Sequence, residues 1–338
     1  MRVASLLPSA TETLFALGVE PVGVSHSCDH PSATDEIRTL TSTVVDHEGR
    51  SATDIDAQMR SVDGAVYDLH VDRLAELRPE LVVTQATCDV CAVDASEVRD
   101  AVASLDPAPT VLTLDPHSFG DVLDDVARIG AAVGREDAAA ALVKRLRERV
   151  DRVTKRAAEA VGDDGRPRTA VLDWTDPPIR AGHWVSDMVD IAGGDPSFQP
   201  GGASEPVAWD DLTAYDPEVL VVVPCGFERD RAVGAVGDLG ERPGWRGLTA
   251  VDSGRVYAVD GNALFNRPSH RLVDSLEALF ACIHPRHAAN DARVDLDRRV
   301  ARVDRALPRD GDPVIEDVSA SRDEPASRDE PVATDDVG

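Results

Sequence analysis

Lysine is almost missing from this chain: Lys144 and Lys155 are the only two, and every other basic side chain is arginine. Aromatic residues make up only 4%. The five cysteines, Cys28, Cys88, Cys91, Cys225 and Cys282, are an odd number in a long chain, which argues against a disulfide framework and agrees with a reducing compartment. No apolar run reaches the roughly 18 residues of a membrane span. The start lacks a signal peptide's apolar core, because Val3–Leu7 runs straight into Pro8 and a helical pattern. The sequence therefore predicts a soluble, cytoplasmic chain, with an extracytoplasmic location requiring an upstream start. Ser-His-Asp order, a phosphate-binding glycine loop and a dinucleotide fingerprint are also lacking. Gly193-Gly194 reads as a helix C-cap.

Acidic residues fill the space that lysine leaves, and the formal net charge is -27. Such a surface repels nucleic acid, whose binding rests on basic residues that neutralise phosphates. Dense carboxylates with little lysine suit very high salt, where screening removes their mutual repulsion. A halophilic origin is the expectation.

Short β-rich apolar runs (Val3–Leu7, Val22–Val24, Leu81–Thr84, Val111–Leu114, Ala170–Trp174, Val219–Val223, Val256–Val259) alternate with helical patterns. That alternation predicts mostly parallel sheets covered by helices. Between them, 137–161 has no glycine or proline and carries an apolar stripe at Leu142, Leu146, Val150 and Val153. The fold class predicted is α/β: two Rossmann-like lobes with mostly parallel sheets, joined by one long rigid helix. The expected boundaries are 1–134 for the N-terminal lobe, 135–167 for the helix and turn, 168–285 for the C-terminal lobe, and 286–338 for an acidic, largely disordered tail. A gapless internal repeat supports duplicated lobes: residues 72–83 align on 210–221, each reading as a short helix, a Pro-Glu turn and a buried strand.

Ligands of open parallel sheets bind beyond the C-terminal ends of the strands. The loops at those ends carry His26, Ser27 and Cys28; Cys88 and Cys91; Trp174; His183 and Trp184; Cys225 and Phe227; and Phe265 and Arg267. These are the candidate ligand-binding residues. Cys28, Cys88, Cys91 and Cys225 have the donor type for a tetrahedral soft-metal site holding zinc or an iron–sulfur cluster. They equally suit a redox pair or a polarizable pocket lining. Cys282 falls on a helix pattern and reads as a small buried hydrophobe. Arg267 and Arg271 have the chemistry to meet carboxylate or phosphate groups.

Residues 5–18, Pro21-Val22-Gly23-Val24-Ser25, 77–83, Asp176-Pro177-Pro178, Ala192-Gly193-Gly194, 216–219 and 265–271 together resemble the helical-backbone (class III, cluster A-II) substrate-binding proteins of ABC importers for cobalamin, haem and ferric siderophores. The resemblance covers roughly residues 1–285 and is greatest to the cobalamin-binding branch. The cysteines at 28, 88, 91 and 225 are similar to those of a signal-less, cobalamin-binding-like subgroup. The resemblance implies a non-enzymatic, monomeric protein that binds a corrinoid or related metal chelate between its lobes, for import or for handling inside the cell. It also implies a permease partner met by an acidic residue on each lobe. The repeat puts Asp72 and Asp210 at those positions, where either would also suit a helix N-terminus. Two further readings stay open: a cysteine-ligated metal or redox protein, an enzyme included, on the same scaffold, and a partner-binding protein without a small ligand.

Overall fold

The computed structural model describes residues 1–47, 49–63, 65–87, 92–163, 165–288, 296–303 and 315–317. The first half contains β1 (Val3–Ser5), α1 (Pro8–Ala16), β2 (Gly23–Val24), β3 (Thr41–Thr43), α2 (Ala52–Ser61), β4 (Tyr67–Leu69), α3 (Val71–Leu77), β5 (Leu81–Gln85), α4 (Ala95–Ala103), β6 (Thr110–Leu114) and α5 (Phe119–Ala132). The helix α6 (Glu136–Val161) follows. The second half contains β7 (Thr169–Thr175), β8 (Pro178–Arg180), α7 (Val185–Ile191), β9 (Glu205–Pro206), α8 (Trp209–Tyr215), β10 (Val219–Val222), α9 (Arg229–Gly240), α10 (Thr249–Asp252), β11 (Val256–Val259), α11 (Leu272–Ile283), α12 (Leu296–Arg299), β12 (Val300–Val303) and β13 (Ile315–Asp317).

The first sheet has the order β2-β1-β5-β6, with every pairing parallel. The second has the order β13-β12-β11-β10-β7-β8-β9. Its centre, β11-β10-β7, is parallel and its flanks are antiparallel. The outcome is the α/β architecture of two mostly parallel sheets that the alternating pattern predicts. Side chains alternate across the second sheet as strand geometry requires. Val171, Val219, Val221, Tyr257 and Val259 join one hydrophobic cluster, while Ala170, Leu172, Leu220, Val222 and Ala258 join another.

Helix α6 is unbroken because nothing inside it lacks an N–H or adds backbone freedom. At 1.5 Å per residue its length is about 39 Å. Its buried stripe is Ala139, Leu142, Val143, Leu146, Arg149, Val153 and Ala157. That stripe packs on α5 of the first half and on α7 and α11 of the second. One hydrophobic cluster therefore runs from Val3 and Leu14 through Leu146 to Val171 and Leu276. Arg149 interrupts the apolar stripe, and its guanidinium is matched by Asp274 at 2.6 Å and Glu277 at 2.7 Å on α11.

The internal repeat is reproduced in three dimensions. Helices α3 and α8 each end on a residue in the left-handed region, Arg78 (φ 42°) and Asp216 (φ 48°). In each half the turn's glutamate then accepts from the backbone N–H just before the neighbouring strand: Glu80 from Arg2 at 2.6 Å and Glu218 from Arg168 at 3.0 Å.

Two parts depart from the sequence reading. The sequence pattern predicts no element over residues 41–69, yet they form the β3-α2-β4 arm, whose Val45, Ala52 and Ile55 pack into the second half's cluster with Leu172 and Phe227. Val300–Val303, expected in a disordered tail, pairs antiparallel with β11. Val300, Ala301 and Val303 are buried, and that apolar alternation is what the polar flanks hide in the sequence. Among the described residues no helix is long and apolar enough to cross a membrane.

Candidate functional site

The C-terminal ends of both sets of parallel strands open onto the region where the halves meet. The first half contributes the loops after β2 and β6. The second contributes those after β7, β10 and β11. An ion network crosses between them. Glu12, on α1, is fully buried, with a side-chain exposure of 1%. Its carboxylate accepts from Arg267 at 3.1 Å, Arg271 at 2.9 Å and the Ser269 hydroxyl at 2.6 Å. Asp29, after β2, accepts from Arg267 through both oxygens, at 2.5 and 3.0 Å, and from Asn262 at 2.7 Å. The Arg267 hydrogen bond and charge hold the Asp29 carboxyl below the usual range, against the opposing effect of burial, which is the largest single influence.

Arg267 and Arg271, expected to meet ligand anions, are therefore turned onto Glu12 and Asp29. Their guanidinium forks are matched bidentately or shared, which uses up the charge that a ligand carboxylate would seek. Sequence reasoning missed Glu12 and Asp29. The available signal was a lone glutamate among the small and apolar residues of α1, since a buried carboxylate needs a cation.

The other candidates divide into two groups. His26 is exposed beyond β2; its Nδ1 lies 2.8 Å from the Thr41 hydroxyl and its ring 5.5 Å from Tyr67. Ser27 is exposed, and its carbonyl lies 3.5 Å from Arg267 Nη2. Trp174 is half-buried and meets Phe227 edge-on at 5.4 Å. Cys225 is exposed, and its N–H donates to the Asp173 carbonyl at 3.2 Å, before Phe227 turns inward. His183 stacks on Trp184 at 5.4 Å and faces His117, from the loop after β6, at 5.9 Å.

The second group is buried instead. Phe265 is 1% exposed and packed in the core, and the indole N–H of Trp184 donates to its carbonyl at 2.7 Å. Phe227 is likewise buried, with the Arg231 guanidinium 3.7 Å above its ring. These three aromatics support the walls rather than present a surface, which corrects their expected role as contacts. Cys28 is partly covered, and burial pushes its thiol up to about 11 despite a hydroxyl contact from Thr11 at 3.2 Å. A protonated thiol is a poor metal ligand and a poor nucleophile. Cys282 is buried on α11, as read. Cys88 and Cys91 lie outside the described residues. Among the described residues no group of three or more His, Cys, Asp or Glu side chains is arranged to hold a metal ion.

The wall at the end of β7 has the most unusual chemistry. A register irregularity between Leu172 and Trp174 re-aims Asp173. Burial pushes its carboxyl up to about 6, and the Ser204 hydroxyl, which donates to Oδ2, offsets only part of that. Asp173 Oδ1, Thr175 Oγ1 and His183 Nδ1 are buried with no hydrogen-bond partner among the described residues. Gly182 is required beside them, because a Cβ there would stand 2.3 Å from the Gly202 carbonyl.

Paired α/β halves, one connecting helix and a polar, aromatic-flanked seam describe a clamp. The family model described as periplasmic binding protein matches residues 3–263. The chain belongs to that family. It is a solute-binding, non-enzymatic family. The chain is 24% identical, over 84% of its length and 80% of the relative's, to an uncharacterised ABC transporter substrate-binding lipoprotein, YvrC, of Bacillus subtilis. Among solved structures it resembles a periplasmic haem-binding protein from Pseudomonas aeruginosa (21% identity, 84% of this chain and 92% of that chain, TM-score 0.65). It also resembles the periplasmic vitamin B12-binding protein BtuF of Vibrio cholerae (17% identity, 83% and 96%, TM-score 0.59). The cytoplasmic location expected from the sequence is thereby corrected: a periplasmic family and a lipoprotein relative point to a place outside the cytoplasm.

Proposed function

We propose that this periplasmic binding protein is the substrate-binding component of an ABC importer and takes a corrinoid, or a related metal chelate, between its lobes. The carrying observation is the pairing of ring-bearing walls at the strand ends: Trp174 backed by Phe227, and His183 backed by Trp184, with His26 and Tyr67 on the first half. Flat, apolar macrocycles with polar edges are matched by rings set among hydrogen-bonding groups. The family resemblance and the haem- and B12-binding names of the structural neighbours support the same class. Cysteine-ligated zinc or iron–sulfur chemistry is less favoured, because the Cys28 thiol is held protonated.

Asp72 and Asp210 are the proposed permease contacts. Both are exposed, and both are the second residue of their helices, so neither acts as the N-cap. A monomer suffices for this role, with one carboxylate on each lobe. The test titrates the full chain with hydroxocobalamin and with haemin, reading visible absorption and tryptophan fluorescence. Saturable spectral shifts with either are expected, and silence with both removes the reading. With the preferred chelate bound, Asp72→Asn with Asp210→Asn should abolish association with permease vesicles while leaving chelate affinity unchanged.

A further inference from the structure

His117 and His183 come from opposite halves of the molecule, one after β6 and one before α7. Their ring centres are 5.9 Å apart with planes 31° from parallel. A metal about 2.0–2.1 Å from a ring nitrogen is roughly 3.2 Å from that ring's centre; two rings on one ion then have centres roughly 4.5–6.4 Å apart as the angle at the metal opens from about 90° to about 180°. The observed separation falls inside that window.

Three further observations point the same way. Asp115 Oδ1 lies 3.2 Å from His117 Nε2, the carboxylate–imidazole contact that fixes a ligating ring and leaves Nδ1 as its donor. His183 has a left-handed backbone (φ 53°), uncommon for a residue with a Cβ, and its N–H is tied to the Gly202 carbonyl at 2.5 Å. That conformation sets the ring, whose Nδ1 is buried with no hydrogen-bond partner among the described residues.

We propose that His117 and His183 form a two-histidine clamp for a borderline transition-metal ion such as Co2+, Ni2+ or Zn2+, with Asp115 as the positioning residue for His117. No third His, Cys, Asp or Glu completes a set among the described residues. The ion's remaining positions are open to water or to a small chelator. Binding ties the two halves together, and because His183 also belongs to the proposed chelate wall, the bare ion is the probe that keeps the two readings apart.

The probe is cobalt(II) chloride alone, titrated into the full chain after treatment with a chelating resin, at neutral pH. The readouts are the d–d absorption of Co2+ and calorimetry. One equivalent should bind, with bands typical of nitrogen ligation. His117→Ala and His183→Asn should each weaken binding at least tenfold; asparagine keeps the left-handed backbone accessible, and melting curves verify folding. Asp115→Asn should weaken it about tenfold, as expected for a partner of a ligating histidine. His287→Ala, at an exposed histidine outside the seam, is the control and should bind as the unsubstituted protein does. Absence of Co2+ binding, or retention of full affinity in either histidine variant, overturns the clamp. Hydroxocobalamin and haemin titrations of the same variants report separately on the chelate reading.

Discussion

Asp173 shows how one residue can record a functional compromise. Its carboxyl is pushed up to about 6 because burial disfavours the anion and Ser204 compensates only in part. A carboxyl whose folded pKa lies above its unfolded value, about 3.9, binds more protons in the native state. Its contribution to stability is complete below the unfolded value and is lost as pH rises through about 6. Asp173→Asn, which has no proton to lose, should therefore melt at a higher temperature than the unsubstituted protein at pH 8. The gap should close by about pH 4, where both side chains are neutral. Equal gaps at the two pH values would remove the ionisation argument. Asp29 has the opposite sign: its depressed carboxyl stabilises the fold above the unfolded value and stops doing so as acid protonates it against Arg267.

At the scale of elements, the repeat offers a paired experiment. Arg78 and Asp216 occupy equivalent left-handed positions at the ends of α3 and α8. A left-handed backbone is costly for any residue with a Cβ, and glycine relieves it by about 1 kcal/mol. Asp216, however, accepts from the Thr249 N–H at 2.8 Å and hydroxyl at 2.7 Å. Arg78→Gly should raise unfolding free energy by about 0.5–1 kcal/mol, and Asp216→Gly should lower it by about 1–2 kcal/mol through the lost hydrogen bonds. Denaturant midpoints with unchanged slopes would measure both. Changes of the same sign would show that the two turns are not balanced as described.

The elements also show what a sequence can disclose. Helix α6 and the repeat were legible because periodicity and glycine-free length are local properties. The β3-α2-β4 arm was not, because its strands are three residues each and its apolar residues, Val45, Ala52 and Ile55, gain meaning only against the second half. At the site, loop position identified His26 and His183, while His117 passed unnoticed beside Pro116. Trp184 and Phe265 were misplaced because an aromatic side chain serves a core and a binding wall equally well. The turn of Arg267 toward Glu12, 255 positions away, is a tertiary fact with no local trace.

For the molecule as a whole, charge should govern solution behaviour. A formal charge of -27 repels itself at low ionic strength, and screening relieves that repulsion within a Debye length of about 3 Å at 1 M salt. Melting temperature should rise steadily between dilute buffer and molar KCl, as the halophilic expectation requires. A flat or falling profile over that range would remove that expectation.

The bond between Glu12 and Arg267 also has a consequence in time. During synthesis the first sheet can pair once residue 114 has emerged, since its strands end there. Glu12, buried on α1, must wait for a cation more than two hundred residues downstream. The stripe of α6 likewise waits for α11 to cover it, with Arg149 unmatched until Asp274 and Glu277 arrive. The native burial of Glu12 and of the α6 stripe is therefore complete only once α11 and the loop before it are in place. The beginning of this polypeptide reaches its final state only when nearly all the rest has been made, so its maturation belongs to the whole chain and not to each lobe in turn.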